Sequence, residues 1–386
     1  MRERQLTVAG RASIPPFHVM DVLSAANARQ RAKGDVVSLA AGQPSAAAPR
    51  VVLAAAAGVL DGRPLGYTEQ LGIPELREAI AGHYERRYSL PVEPGDVVVT
   101  TGSSGGFLLS FLAAFDAGDR VALARPGYPA YRNILSALGC EVVELPCGPR
   151  TGFQPTVAML DEAGRIDGLI VASPANPTGT MLAASELAAI AGWCAEHGVA
   201  LVSDEIYHGI HYGSDDPASA WQFSREAVVV NSFSKYFAMT GWRLGWLLVP
   251  GRLHRAVDCL TGNFTICPPT LSQHAAVAAF DAYDELDAHV ATYRRNRDEL
   301  AAGLRSLGID RLAPMDGAFY VYADVAHLTT DSMSFCQRLL ADTGLAIVPG
   351  IDFDPARGNH FVRMSFAGPP ADIPEALRRL GSWLEP

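Results

Sequence analysis

Seven short runs rich in β-branched and apolar residues alternate with amphipathic stretches between residues 97 and 249, and this alternation constrains the fold most. The runs fall at 97–101, 120–124, 141–145, 168–173, 200–203, 228–232 and 244–249, with helical patterns such as 104–115, 128–138 and 185–197 between them. Strands separated by helices predict a largely parallel sheet covered on both faces. Ser185, followed by Glu186 and an apolar run, marks one helix start. After about Thr270 the pattern changes: helical periodicity runs to Leu307, short strands follow at 318–323, 345–349 and 361–366, and a last helix covers 371–383. The expected architecture is α/β. A large unit (46–280) carries a mostly parallel seven-stranded sheet, and residues 1–45 and 281–386 form a smaller α+β unit.

The chain has 386 residues, 49% of them hydrophobic and 19% charged, which suits more than one domain. A formal net charge of −10 argues against nucleic acid or an anionic membrane as partner. The cysteines Cys140, Cys147, Cys194, Cys259, Cys267 and Cys336 form no Cys-x-x-Cys pair, so they read as small core residues in a reducing compartment. No apolar run follows residues 1–6, so a secretory signal is not expected. The apolar stretch 105–115 is too short to span a bilayer. The expected location is the cytoplasm.

Polar, Gly-rich and Pro-rich segments fall at the strand ends, where open α/β sheets bind ligands. Ser232-Phe233-Ser234-Lys235 continues through Thr240-Gly241-Trp242-Arg243. A lysine attacking an aldehyde must lose its proton, and burial beside a cation promotes that loss. The hydroxyls and Arg243 suit a phosphate. A surface lysine is the plainer meaning of any lone Ser-x-Ser-Lys. Ser203-Asp204-Glu205-Ile206-Tyr207 puts an acid at the end of a buried strand, where it would either keep a pyridinium nitrogen protonated or cap a turn. Ser173-Pro174-Ala175-Asn176-Pro177-Thr178-Gly179 is a rigid turn presenting Asn176. Thr101-Gly102-Ser103-Ser104-Gly105-Gly106 leads a strand into a helix whose first amides suit a phosphate, without P-loop spacing.

In order and spacing these segments resemble the class I/II, fold-type I aminotransferases that use pyridoxal 5′-phosphate (PLP), in the branch of bacterial aspartate aminotransferase-like enzymes. The resemblance runs from about Val19 to the C-terminus and includes Tyr67, Gly72-Ile73-Pro74-Glu75-Leu76-Arg77, Pro126-Gly127-Tyr128-Pro129-Ala130-Tyr131, Gly317-Ala318-Phe319-Tyr320 and Val362-Arg363-Met364-Ser365. It implies that Lys235 binds the cofactor and moves the substrate proton, and that Asp204 pairs with the pyridine nitrogen. Tyr207 and Asn176 would bond the 3′-oxygen, and the Tyr128 ring would stack on the cofactor. Ser103, Ser104, Ser232 and Arg243 would bind the phosphate, with Ser234 beside them. Tyr67 would reach the neighbouring subunit's phosphate, which implies a homodimer. Arg363, the backbone of Gly42 and Asn176 would hold the substrate, Arg363 by a two-pronged grip on its α-carboxylate.

Two departures bear on the substrate. Ser103-Ser104 stand where aspartate-directed relatives often carry a lysine, and Phe17 and Val19, with Ile14 nearby, align with hydroxyl-bearing positions. An apolar lid implies a neutral amino acid such as alanine or valine, with pyruvate or 2-oxoglutarate. Aspartate with 2-oxoglutarate is the second reading. A PLP-dependent C–S β-lyase and a non-catalytic PLP-binding regulator are further alternatives. No metal is expected: His208 and His211 have no apparent third ligand. Trp193, Trp221 and Trp246 read as packing, and Asp352 and Asp354 near Pro355 as a solvated loop.

Overall fold

The computed structural model describes residues 7–62, 64–213 and 216–385, so residues 1–6, where a signal was considered, lie outside it. Its strands are β1 (Val37–Ser38), β2 (Val97–Thr100), β3 (Arg120–Arg125), β4 (Glu141–Pro146), β5 (Gly168–Ala172), β6 (Ala200–Asp204), β7 (Val228–Ser232), β8 (Gly245–Leu248), β9 (Tyr320–Asp324), β10 (Leu345–Ala346), β11 (Val348–Pro349) and β12 (Phe361–Ser365).

The large sheet has the order β2-β8-β7-β6-β5-β3-β4. The pairs among β3 to β7 are parallel, and β8 runs antiparallel to both β7 and β2. The reason lies in the connections. Helices such as Pro129–Leu138 and Ala184–His197 carry the chain between parallel strands, whereas residues 233–244 hold only a 3₁₀ turn. So short a link returns the chain in the opposite direction. The strands β2, β7 and β8 are buried along their whole length, as a sheet covered on both faces requires. Trp246 on β8 is fully buried against Phe233 and Phe237, and truncating it to alanine would cost roughly 3–5 kcal/mol.

The second part holds an antiparallel sheet, β11-β12-β9. The N-terminal segment joins it through β1, which pairs in parallel with β10. The strand expected at 345–349 is thus two strands, because the chain changes partner at Ile347. Helical pattern 270–307 is likewise broken, into Thr270–Val277, a 3₁₀ turn and Tyr283–Ser306. Helix Ala184–His197 starts one residue before Ser185, with Glu186 accepting from the Ala183 amide at 2.9 Å.

Two further expectations meet the structure differently, and the reading of the tryptophans as packing holds. Cys259 is exposed on its helix rather than in the core. Asp352 and Asp354 are buried, because each finds backbone N–H partners that composition cannot reveal. The three tryptophans are buried, and their indole N–H groups bond Asp161, the Ala227 carbonyl and Tyr84. Among the described residues no helix is long and apolar enough to cross a membrane, and no group of three or more His, Cys, Asp or Glu could hold a metal.

Candidate active site

The carboxyl ends of β5, β6 and β7 lie side by side and deliver Asn176, Asp204 and Lys235 to one cleft of about 530 Å³. Another cavity of about 510 Å³ opens beside Arg311 and Tyr322 but contains none of the candidate residues. Convergent charged groups single out the first.

Successive residues at the end of β6 point to opposite faces of the sheet. Asp204 faces the cleft. Its Oδ1 accepts from the Ile206 amide at 3.1 Å, and its Oδ2 accepts from the Tyr131 hydroxyl. Burial raises its carboxyl to about 6, against those bonds and the charge of Lys235. Glu205 faces away and is bonded by Ser203, Ser219 and the Ala220 amide.

Lys235 Nζ donates to the Gly42 carbonyl at 2.7 Å. Burial first, and then the positive charge of Arg363, push its ammonium down to about 8. Tyr207 shares a 2.7 Å hydrogen bond with the Tyr320 hydroxyl. A Cβ on Gly42 would strike that hydroxyl, so the close approach of this backbone needs glycine.

Arg363 is buried at 2% exposure. Nη1 donates to Asn176 Oδ1 and Nη2 to the Ala40 carbonyl, both at 2.9 Å. Its Nε has no partner among the described residues. With Oδ1 engaged, Asn176 keeps its amide N–H groups for another acceptor. The guanidinium carbon sits 4.4 Å from the Tyr320 ring centre and 4.8 Å from that of Phe353.

Ser103 and Ser104 open the helix Gly102–Ala114, whose N-cap Thr101 makes no side-chain cap. Arg243 stands opposite at φ 53°, and a Cβ on Gly102 would lie 2.8 Å from its Nη2. Phe17, Val19, Tyr128 and Ser234 also line the cleft, and Phe17 meets Tyr128 edge-on at 5.8 Å. Two candidates fall elsewhere. Ser232 lies behind the cleft surface, its Oγ donating to the Leu244 carbonyl and accepting from the Ser234 amide. Tyr67 is 82% exposed and off the cleft. Residues not singled out for a role also line it, including Met20, Leu23, Tyr131 and Tyr320. Both tyrosines stand inside quoted motifs, which was the available signal.

The sequence matches the family described as aminotransferase class I and II over residues 34–380. The chain belongs to this family. A valine–pyruvate aminotransferase of Mycobacterium tuberculosis is 68% identical over 381 residues, covering 98% of this chain and 98% of the relative. The crystal structure of an aminotransferase from Mycobacterium tuberculosis superposes with a TM-score of 0.96 at 67% identity, covering 98% of this chain and 99% of that one. The aspartate aminotransferase of Thermus thermophilus, solved with maleate, gives 0.92 at 34% identity over 98% of this chain and 100% of that one.

Aminotransferases of class I and II depend on PLP, and the residues of this aminotransferase fit that group. A lysine with a lowered pKa faces a buried carboxylate. The uncapped amides of a helix start meet Arg243 across a glycine that leaves room for its guanidinium. A buried arginine keeps one N–H unpartnered among the described residues.

Proposed function

We propose that this aminotransferase exchanges the amino group between a neutral amino acid, valine first among them, and pyruvate. The carrying observation is the charge inventory of the cleft. Its lining cations among the described residues are Lys235, Arg243 and Arg363. Arg363 serves the α-carboxylate, Arg243 the cofactor phosphate and Lys235 the chemistry, so none remains for a carboxylate on the substrate side chain. Phe17, Val19, Met20 and Leu23 offer an apolar wall there instead. The 68% identical relative is named for valine and pyruvate, which supports the same choice.

When bound, PLP supplies an aldehyde and a ring that accepts electrons. Lys235 would hold the cofactor through Nζ, and the free amine would act as base toward the substrate Cα–H and then as acid, delivering that proton on the cofactor side. Its lowered pKa keeps a large share of it neutral near pH 8, as a base requires. Asp204 would hold a proton on the pyridine nitrogen, and Tyr131 and the Ile206 amide aim its two oxygens. Tyr207 and the Asn176 amide would bond the 3′-oxygen, and the Tyr128 ring would stack on the cofactor. Ser103, Ser104, Ser234 and Arg243 would bind the phosphate, with Ser232 supporting Ser234 from behind. Arg363, with Gly42 and Asn176 beside it, orients the α-carboxylate so that the Cα–H faces Lys235.

The unit of function is a homodimer. Leu60, Leu65, Tyr67, Phe264 and Ile266 are all more than 45% exposed, and Thr270 Oγ1 bonds the Gly66 carbonyl at 2.7 Å, tying the two segments together. Such a surface calls for cover, and a second copy would bring its Tyr67 to this phosphate site. The division into 46–280 and 1–45 with 281–386 is supported by the seven-stranded sheet lying within the first span and the two smaller sheets within the second. The test is a steady-state comparison with pyruvate as acceptor. Valine should exceed aspartate in kcat/KM by at least about tenfold. Faster turnover of aspartate with 2-oxoglutarate would reject the substrate assignment.

A further inference from the structure

The helix His18–Lys33 begins without a cap of its own, since Phe17 at the N-cap has no side-chain acceptor. The first amides of a helix need partners, and here they come from the far end of the chain. Asp352 Oδ2 accepts from the Val19 amide at 2.8 Å, and Oδ1 from the His18 amide at 3.2 Å. Asp352 is only 3% exposed, and among the described residues its carboxylate makes no ion pair. A carboxylate at a helix N-terminus is favoured by the helix dipole as well as by the two bonds.

The turn that carries Asp352 touches the site twice more. The Phe353 ring lies 4.8 Å from the guanidinium carbon of Arg363. The Phe353 carbonyl accepts from the Gly127 amide at 3.1 Å, one residue before Tyr128. The capped helix brings Val19, Met20 and Leu23 to the cleft, with Phe17 directly before it. One carboxylate therefore fixes the start of the helix that forms the apolar wall, and fixes it to the turn that backs Arg363.

We infer that Asp352 is a positioning residue for the substrate side chain, holding the N-terminal helix over the cleft so that its apolar wall distinguishes a branched side chain from a small one. This rests on the neutral-substrate reading above. An ordered wall gains more from valine than from alanine, because valine has two more side-chain carbons to bury. Apolar contacts of that size discriminate by about 10- to 200-fold. A loosened wall gives up part of this, while Lys235, Asp204 and Arg363 remain in place.

The test uses the PLP-loaded enzyme and the variants Asp352→Ala and Asp352→Asn. Asp354→Asn is the control, because Asp354 is equally buried but bonds the amides of its own turn and pairs with Arg125 at 3.4 Å, and among the described residues makes no bond to the helix His18–Lys33. The first readout is amide exchange over residues 18–23 in the resting enzyme. In Asp352→Ala it should speed up by roughly tenfold. Asp352→Asn, which keeps one acceptor oxygen, should fall between. The second readout is kinetic. KM for valine should rise roughly tenfold in Asp352→Ala, while kcat for alanine stays within about twofold. Unchanged exchange at 18–23, the same changes in Asp354→Asn, or a parallel fall of kcat/KM for both amino acids would overturn the proposal. Faster exchange in Asp352→Ala, in an enzyme whose parent turns over neither amino acid well, would uphold the latch and overturn the neutral-substrate reading instead.

Discussion

Lys235 and Gly42, 193 positions apart, are joined by a 2.7 Å hydrogen bond from the lysine Nζ to the glycine carbonyl. That contact brings the N-terminal segment onto the reacting nitrogen. It gives the lysine one acceptor, while burial, Arg363 and Arg243 oppose its charge and Asp204 supports it.

The consequence is a pH-dependent stability of the cofactor-free protein. Lys235 ionises at about 8 in the fold against an ordinary value of 10.5. Between those limits the unfolded chain binds more protons than the folded one, so stability rises with pH. The contribution is complete above 10.5 and is lost as pH falls through 8. Urea unfolding of wild type and Lys235→Met should diverge across this window, by up to about 1.4 kcal/mol per pH unit. A pH-independent difference would contradict the assignment. The same variant should lose transamination by at least about 10²-fold.

Tyr131→Phe removes the hydroxyl that bonds Asp204 Oδ2. Tyr131 and Asp204 are both buried, so the abandoned oxygen costs about 1–3 kcal/mol. We expect kcat to fall about tenfold or more while KM changes little, because Tyr131 acts through Asp204. A pure loss of thermal stability with normal kcat would show that Tyr131 serves packing alone.

Arg363→Lys keeps the charge but not the planar fork that reaches Asn176 and Ala40. Losing one charged hydrogen bond of about 1.5–3 kcal/mol should raise KM for amino acids by roughly 10- to 100-fold. Removing the α-carboxylate from the substrate should then cost the variant less than it costs wild type. Equal costs would place the carboxylate elsewhere.

Ser104 is exposed and lines the cleft at the start of its helix. Ser104→Lys adds the cation that the side-chain pocket lacks. Activity with aspartate should rise and activity with valine fall, compared as kcat/KM. No gain with dicarboxylates would mean that the Ser103-Ser104 loop does not set the charge preference.

Much of this was legible in the sequence, and the reasons differ by residue. Lys235, Asp204 and Asn176 stand at the ends of β7, β6 and just after β5, and apolar runs bounded by polar turns expose such positions directly. Tyr320 was visible only as part of a motif. Its role appears when the fold carries it 113 positions back to Tyr207. Asp352 was read as solvated because an Asp-x-Asp-Pro stretch resembles a surface loop. The amides it binds lie 333 and 334 positions away, beyond any local pattern. Ser232 sits in the right segment, yet strand alternation turns its hydroxyl toward Leu244. Tyr67 is the opposite case, a motif residue that the fold leaves exposed and off the cleft.

The most direct test of the central claim is a half-reaction. The PLP-loaded enzyme is mixed with one amino acid at a time, without an acceptor, and the near-visible absorbance of its lysine-bound cofactor is followed in stopped flow. We predict rapid loss of that absorbance with valine and alanine and slow loss with aspartate, with pyruvate restoring it. Rapid loss with aspartate or glutamate alone would contradict the neutral-substrate assignment.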